Sequence, residues 1–368
     1  MKYYIIAGEA SGDLHGSNLI KALKQQDSQA EIRCWGGDLM EAAGGTLVKH
    51  YRDLAFMGFL EVVKHLRTIL GNIAFCKNDV LDFQPDVIVY IDYPGFNMRI
   101  AKWAREKGFK NHYYISPQIW AWKENRIKAI KRDLDALYVI LPFEKEYYQT
   151  KHNHPVSFVG NPLVEVIKEE LKGTADLPSS LKQEQPIIAL LPGSRKQEID
   201  KMMPIFLEVI AHFPHYQFVI AGAPGIDPSW YEKFTIHPSV SLLHNQTYGL
   251  LKNAFAAIVT SGTATLETAL FKVPQLVCYK SSAVSYAIAK RIIKLDFISL
   301  VNLIMGKEVV KELIQDDCSI EQICAELERI CETEKRTTLL KDYQELAEKL
   351  GETNASHNVA KNILGALK

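Results

Sequence analysis

The sequence has no surplus charge of either sign: over 368 residues, lysine plus arginine and aspartate plus glutamate both number 43. That balance argues against a general nucleic-acid binder, which needs a basic excess. Its six cysteines, Cys34, Cys76, Cys278, Cys318, Cys324 and Cys331, form no CxxC pair and have no histidine at zinc-like spacing. They read as thiols of a reducing cytosol. No apolar run approaches the ~20 residues of a membrane span, and no signal peptide is evident at the amino terminus, so any membrane contact is expected to be peripheral. Short repeats and low-complexity tracts are missing too. So are both standard phosphate fingerprints: "AGEASGDLHG" would need a glycine at Ala10 for GxGxxG, and has no lysine for a P-loop. A nicotinamide-dependent oxidoreductase is disfavoured on that ground.

What this first loop does carry is Glu9, Ser11 and Asp13, between the apolar run "YYII" and the amphipathic "SNLIKAL". Strand, glycine-punctuated turn and helix open a Rossmann-type βαβ unit, which gathers ligands at the carboxyl ends of its strands. A carboxylate and a hydroxyl suit a neutral, hydroxyl-rich ligand better than a pyrophosphate, while Ser11 or Asp13 would equally serve as a helix cap.

The segments "KYYIIA", "EIRCWG", "DVIVYID", "NHYYIS", "ALYVIL" and "VSFVG" read as strands alternating with helices. A polar stretch, "KEELKGTADLPSSLKQEQP", then reads as a helix end and a linker. The grammar restarts with "IIALLPGSR", "YQFVIAGAP", "SVSLLHN", "AAIVTSGT" and "PQLVCY", and from about Glu308 it looks wholly helical. The expectation is two Rossmann-like α/β domains facing a central cleft. Residues 1–165 form the first and 166–340 the second; helices over 341–368 pack back on the first or swap into a partner.

Two loops of the second half repeat one device. In "LLPGSRKQEI", Gly193 and Ser194 stand beside Arg195, so amides and a guanidinium could meet an anion together. In "VTSGTATLETAL", Ser261, Gly262 and Thr263 lead into a helix whose second turn contains Glu267, a carboxylate suited to a ribose diol. Plain N-capping and a surface salt bridge are the competing readings.

In the first half, Asp92 of "VIVYIDYPGFN" ends a strand, as a turn former or as a carboxylate projecting toward a ligand. "YISPQIWAWKENRIKAIKRD" joins Trp120 and Trp122 to Lys123, Arg126, Lys128, Lys131 and Arg132, a solvated face or a match for a phosphate-bearing partner. "LAFMGFLEVVKHLRTILGNIAF" is unusually apolar, with Lys64, His65 and Arg67 on its helix, and suits either a core helix or a membrane-surface, acyl-binding one. Asp133 and Asp135 make a nominal metal-binding DxD, read here as turn chemistry.

In order and spacing, "AGEASGD", "LAFMGFLEVV", "IDYPGFN", "YISPQIWAWK", "LPFEKEYY", "LLPGSRKQEI", "SGTATLE" and "NLIMGKEVVKELIQ" together resemble the lipid-A-disaccharide synthase family over nearly the full length. The resemblance implies a GT-B fold and an inverting transferase acting in lipid A biosynthesis without metal or cofactor. UDP-2,3-diacylglucosamine would be the donor and 2,3-diacylglucosamine 1-phosphate the acceptor, giving a β-1,6-linked disaccharide and UDP. It implies Asp92 as the base and Arg195 at the active site. Glu9, Ser11 and Gly12 would lie on the sugar side, and Gly193, Ser194, Ser261, Gly262, Thr263, Glu267 and Asn302 on UDP. Phe56, Met57, Phe59 and Leu60 would meet acyl chains at the inner-membrane surface of a cytoplasmic, peripherally bound protein, potentially a homodimer. The chain departs from the family's pattern at Gly95, Asn161 and Val301. An epimerase or a peptidoglycan transferase on the same fold is the rival enzyme reading, and a catalytically silent lipid or nucleotide carrier the rival of another class.

Overall fold

The computed structural model describes residues 1–53, 66–174, 177–178, 181, 185–282, 286–287, 291, 295–351 and 354–367. Phe56, Met57, Phe59 and Leu60, expected to meet acyl chains, lie outside the described residues, as do Lys64 and His65.

The chain divides into two compact units, one of Met1–Pro162 with Glu352–Lys368 and one of Leu163–Gly351. The first is built on a seven-stranded parallel sheet: β1 (Lys2–Ala7), β2 (Glu31–Gly36), β3 (Thr46–His50), β4 (Val87–Ile91), β5 (Asn111–Tyr114), β6 (Ala136–Val139) and β7 (Ser157–Phe158). Their spatial order is β3-β2-β1-β4-β5-β6-β7. The second sheet joins β8 (Ile187–Leu191), β9 (Gln217–Gly222), β10 (Val240–His244), β11 (Ala254–Thr260), β12 (Gln275–Tyr279) and β13 (Glu312–Ile314) in the order β10-β9-β8-β11-β12-β13, again parallel throughout.

Strand β1 shows why the sheet is legible. A parallel strand covered on both faces needs apolar residues at every position, and five of its six are buried. Tyr3, Ile5 and Ala7 enter one core, Tyr4 and Ile6 the other. The polar atoms this buries are paired: the Tyr4 hydroxyl donates to Asp79 at 2.6 Å and accepts from Trp35 Nε1 at 2.8 Å. Arg33 Nε closes the network on Asp79 at 2.8 Å.

Three expectations need correction. The chain after Glu308 is not wholly helical, because Glu312–Ile314 pairs with β12; a three-residue edge strand has too little pattern to announce itself. Strand β3 was not anticipated either, its residues being half-exposed rather than alternately buried. And the polar linker does not mark the division. The division falls at Pro162–Leu163, so the helix Pro162–Lys172, which runs into the linker, lies in the second unit from Leu163 on, where Lys252 Nζ donates to Gly173 O at 3.2 Å.

At the other end, the helix Thr333–Leu350 stays in the second unit, whereas Ala355–Leu367 returns to the first. Val359, Ala360 and Ile363 enter the same core as Leu19 and Leu23 of the helix Ala10–Gln26. Asn358 Nδ2 donates to Val159 O at 3.0 Å.

Candidate active site

Each sheet reverses its strand order at one place, between β1 and β4 in the first unit and between β8 and β11 in the second. At such a switch point the loops leaving two adjacent strands run to opposite faces and open a crevice for ligands. Of the residues singled out in the sequence, Glu9, Ser11, Gly12 and Asp92 gather at the first of these places, and Gly193, Ser194, Arg195, Ser261, Gly262, Thr263 and Glu267 at the second.

In the first unit Ala7 pairs with Ile91, so the loops starting at Gly8 and Asp92 emerge side by side. They line a small crevice with Glu9, Ser11 and Gly12. Glu9 is the N-cap of Ala10–Gln26, yet its side chain makes no capping bond and stays exposed. Gly12 is buried where a Cβ would lie 3.0 Å from Ala7 Cβ, so its smallness sets the approach of helix to strand. Asp13 is turned away: it accepts from the amides of Gly37 at 2.8 Å and Met40 at 3.0 Å, and so anchors the next turn.

Asp92 and Tyr93 both have left-handed backbone, with φ of 45° and 49°. For non-glycine residues this conformation costs ~1–2 kcal/mol each, and it persists only where the surroundings impose it. Here the Asp92 carbonyl accepts from the Tyr113 hydroxyl at 2.5 Å and from Asn97 Nδ2 at 2.7 Å. The Tyr93 ring lies on Gly8, where a Cβ would come within 2.3 Å of it, so only glycine fits there. Burial, then the Glu9 charge, push the Asp92 carboxyl up to about 6. Half-buried Asp92, facing the Glu9 charge, is thus a carboxyl poised near neutrality.

In the second unit Val259 pairs with Leu191, which brings the loop of Gly193 to Arg195 beside that of Ser261 to Thr263. Together with Glu267 they line a cavity of about 310 Å³. Gly193 has φ 110°, a left-handed value. The amides of Ser194 and Arg195 are engaged by Glu198, whose Oε2 accepts from them at 3.1 and 3.3 Å. Arg195 itself pairs with Glu198 Oε1 at 2.9 Å and is otherwise exposed. Sequence reasoning missed Glu198, although a carboxylate three residues into a helix is a capping-box signal. Its placement is the N-capping and salt-bridge arrangement that competes with the anion reading, and a ligand anion at Arg195 has to displace it. Glu267 accepts from the Tyr248 hydroxyl at 2.9 Å; burial raises its carboxyl and that hydrogen bond opposes the rise.

Asn302, expected on the nucleotide, lies instead fully buried with its amide engaged internally. Its Oδ1 accepts from the Val309 and Val310 amides at 2.8 and 3.0 Å, and its Nδ2 donates to Val310 O and Glu312 at 2.8 and 2.9 Å. No donor is left for a ligand. The DxD carboxylates are also occupied, Asp133 by Arg132 and Asp135 by Arg105, both at 2.6 Å.

Glu144 was not singled out in the sequence, and it organises the loops after β5 and β6. Buried, it accepts from Ser116 Oγ at 2.7 Å, Trp120 Nε1 at 3.1 Å and the Leu141 amide at 2.9 Å. Desolvation raises its carboxyl while these donors oppose the rise.

Two parallel α/β units, each reversing its strand order once, have the architecture of the GT-B fold. Solved structures of that fold cover the whole chain. The UDP-GlcNAc 2-epimerase of Neisseria meningitidis bound to UDP-GlcNAc gives a TM-score of 0.67 at 14% identity, covering 100% of this chain and 99% of the other. The glycotransferase of kitacinnamycin gives 0.67 at 12% identity, covering 100% and 99%. The family model for lipid-A-disaccharide synthetase matches residues 3–364. Lipid-A-disaccharide synthases of Syntrophus aciditrophicus and Coxiella burnetii (strain CbuG_Q212) are 37% and 36% identical, covering 99% and 98% of this chain and 97% and 96% of theirs. The chain belongs to the lipid-A-disaccharide synthase family and is a glycosyltransferase of lipid A biosynthesis.

Proposed function

We propose that the chain joins UDP-2,3-diacylglucosamine to 2,3-diacylglucosamine 1-phosphate by a single displacement with inversion. The acceptor 6-hydroxyl oxygen bonds to the anomeric carbon as the bond to UDP breaks, and the hydroxyl proton passes to Asp92. The observation that carries this reading is the Asp92 carboxyl at the end of β4, lifted to about 6 beside Glu9. A base must be ionised at the working pH and still basic enough to take a proton. Glu9 and Ser11 position the sugar, with Gly12 letting the helix that bears them approach the sheet. In the second unit Arg195 and the amides of Gly193, Gly262 and Thr263, with Ser194 and Ser261 beside them, hold the diphosphate, which gathers charge as it leaves. Glu267 holds the ribose.

This account requires no divalent cation. UDP should bind with undiminished affinity in EDTA, and Arg195→Ala should weaken it about tenfold, the cost of one charge-assisted hydrogen bond. Calorimetry with and without chelator checks both; affinity lost in EDTA and restored by magnesium would overturn the metal-free reading. Because the Arg195 side chain is exposed, the substitution should hardly move the melting temperature.

We also propose peripheral binding at the cytoplasmic face of the inner membrane through Phe56, Met57, Phe59 and Leu60. Among the described residues no helix is long and apolar enough to cross a membrane. The helix Leu66–Phe83 that follows these residues in the chain leaves Leu70 57% and Phe75 48% exposed, apolar surface that a lipid interface would cover. Replacing Phe56, Met57 and Phe59 by serine should reduce co-sedimentation with anionic liposomes and raise the KM for lipid substrates. Loss of the circular dichroism signal instead would assign these side chains to the core.

A further inference from the structure

The loop between β5 and the helix Ile127–Asp133 carries an exposed tryptophan flanked by two cations. Lys123 Nζ sits 4.3 Å and the Arg126 guanidinium 5.3 Å from the Trp122 ring, which remains 44% exposed. Lys123 is held in left-handed backbone, φ 53°, so its place on the ring is set by the loop. The loop is itself fixed from below. Glu144 binds Ser116 and Trp120, and the hydroxyls of Tyr147 and Tyr148 donate to Ile119 O at 3.2 Å and Pro117 O at 3.3 Å.

The charge of these two residues is uncompensated. Glu124, between them in sequence, pairs with Lys151 at 2.7 Å. Further along, Arg132 is taken by Asp133, and Lys131 donates to His152 O. Among the described residues neither Lys123 nor Arg126 has an acidic partner. Their position is also specific. Strand β5 runs parallel to β4, Tyr114 O accepts from the Asp92 amide at 3.1 Å, and so this loop leaves the sheet at the edge where Asp92 stands. The Arg126 charge acts on the Tyr113 phenol, whose hydroxyl holds the Asp92 carbonyl.

We infer that Lys123 and Arg126, braced on Trp122, form a subsite for a phosphate monoester, the anionic group of the sugar acceptor whose hydroxyl Asp92 deprotonates. The inference rests on the acceptor reading above, which supplies one phosphate and leaves it without a cation in the first unit. A dianion facing two cations gains charge-assisted hydrogen bonds on both. An aromatic face beneath them limits the freedom they lose on binding.

The test compares diacylglucosamine 1-phosphate with the same acceptor lacking the phosphate, in the full chain and in Lys123→Gln, Arg126→Gln and the double variant. The native chain should prefer the phosphorylated acceptor. Each substitution should raise its KM about tenfold with little change in kcat, and in the double variant the two acceptors should converge. Lys123→Arg and Arg126→Lys should restore most of the preference. Equal losses on both acceptors, or no loss, would overturn the subsite. If the variants instead stop binding phosphatidylglycerol vesicles while keeping their preference among short-chain acceptors, the cations serve lipid headgroups and the assignment fails. Should the native chain turn over neither acceptor, the acceptor reading falls. Titration with glucosamine 1-phosphate against glucosamine then tests the subsite directly, and equal affinity for the two would end it.

Discussion

Asp92→Asn should lower kcat by ~100-fold or more while leaving UDP affinity where it was, as expected when a general base is removed and binding is not. The side chains are nearly isosteric, and the backbone strain at residue 92 is held through its carbonyl, which the substitution keeps. The acidic limb of the native pH profile should lie near 6, with activity falling about tenfold per pH unit below it. Glu9→Gln removes the like charge that helps hold Asp92 up, so this limb should move to lower pH while turnover survives. If Glu9 were the base, that variant would instead be the inactive one. Stability carries a matching sign. A carboxyl raised in the folded state above its ordinary value of 3.8 binds its proton more tightly when folded. The resulting stability is present below about pH 4 and is lost as pH rises through 6. At pH 7 Asp92→Asn should therefore melt no lower than the native protein. Near-normal turnover in that variant would remove Asp92 as the base.

Asn302→Ala should destabilise the second unit by roughly 3 kcal/mol or more. It strips the partners from the Val309 and Val310 amides and from Val310 O, and each unsatisfied buried group costs ~1–3 kcal/mol. UDP affinity, measured below the melting transition, should be unchanged. A thermal melt run alongside calorimetry distinguishes this from a ligand role. Normal stability with lost UDP binding would put Asn302 back on the nucleotide.

These two residues mark how far the sequence reaches. Both are polar residues in short motifs, and the motifs alone give them similar standing. Asp92 could be placed because a strand of five buried apolar residues and the helix after it, begun by Pro94, fix its position at a strand end. Asn302 could not, because its partners at residues 309–312 come together only when β13 docks on β12. Glu198 shows the same limit within a single helix turn: its spacing from Arg195 is visible in the sequence, but which amides its carboxylate holds is not.

By itself the sequence determined the two-fold α/β grammar and where the loops between its elements fall. Strands buried on both faces need continuous apolar runs, and turns at their ends need small and polar residues; both are local demands, written in neighbouring letters. Its motifs, read together, also carried the family. The tertiary structure decided what no local pattern encodes. It chose which strands adjoin and so where the switch points fall, returned Ala355–Leu367 to the first unit's core, and set two carboxylates of different loops close enough for one to raise the other. Each of these depends on contacts between residues far apart in the chain, where energy is gained only after the whole sheet has formed.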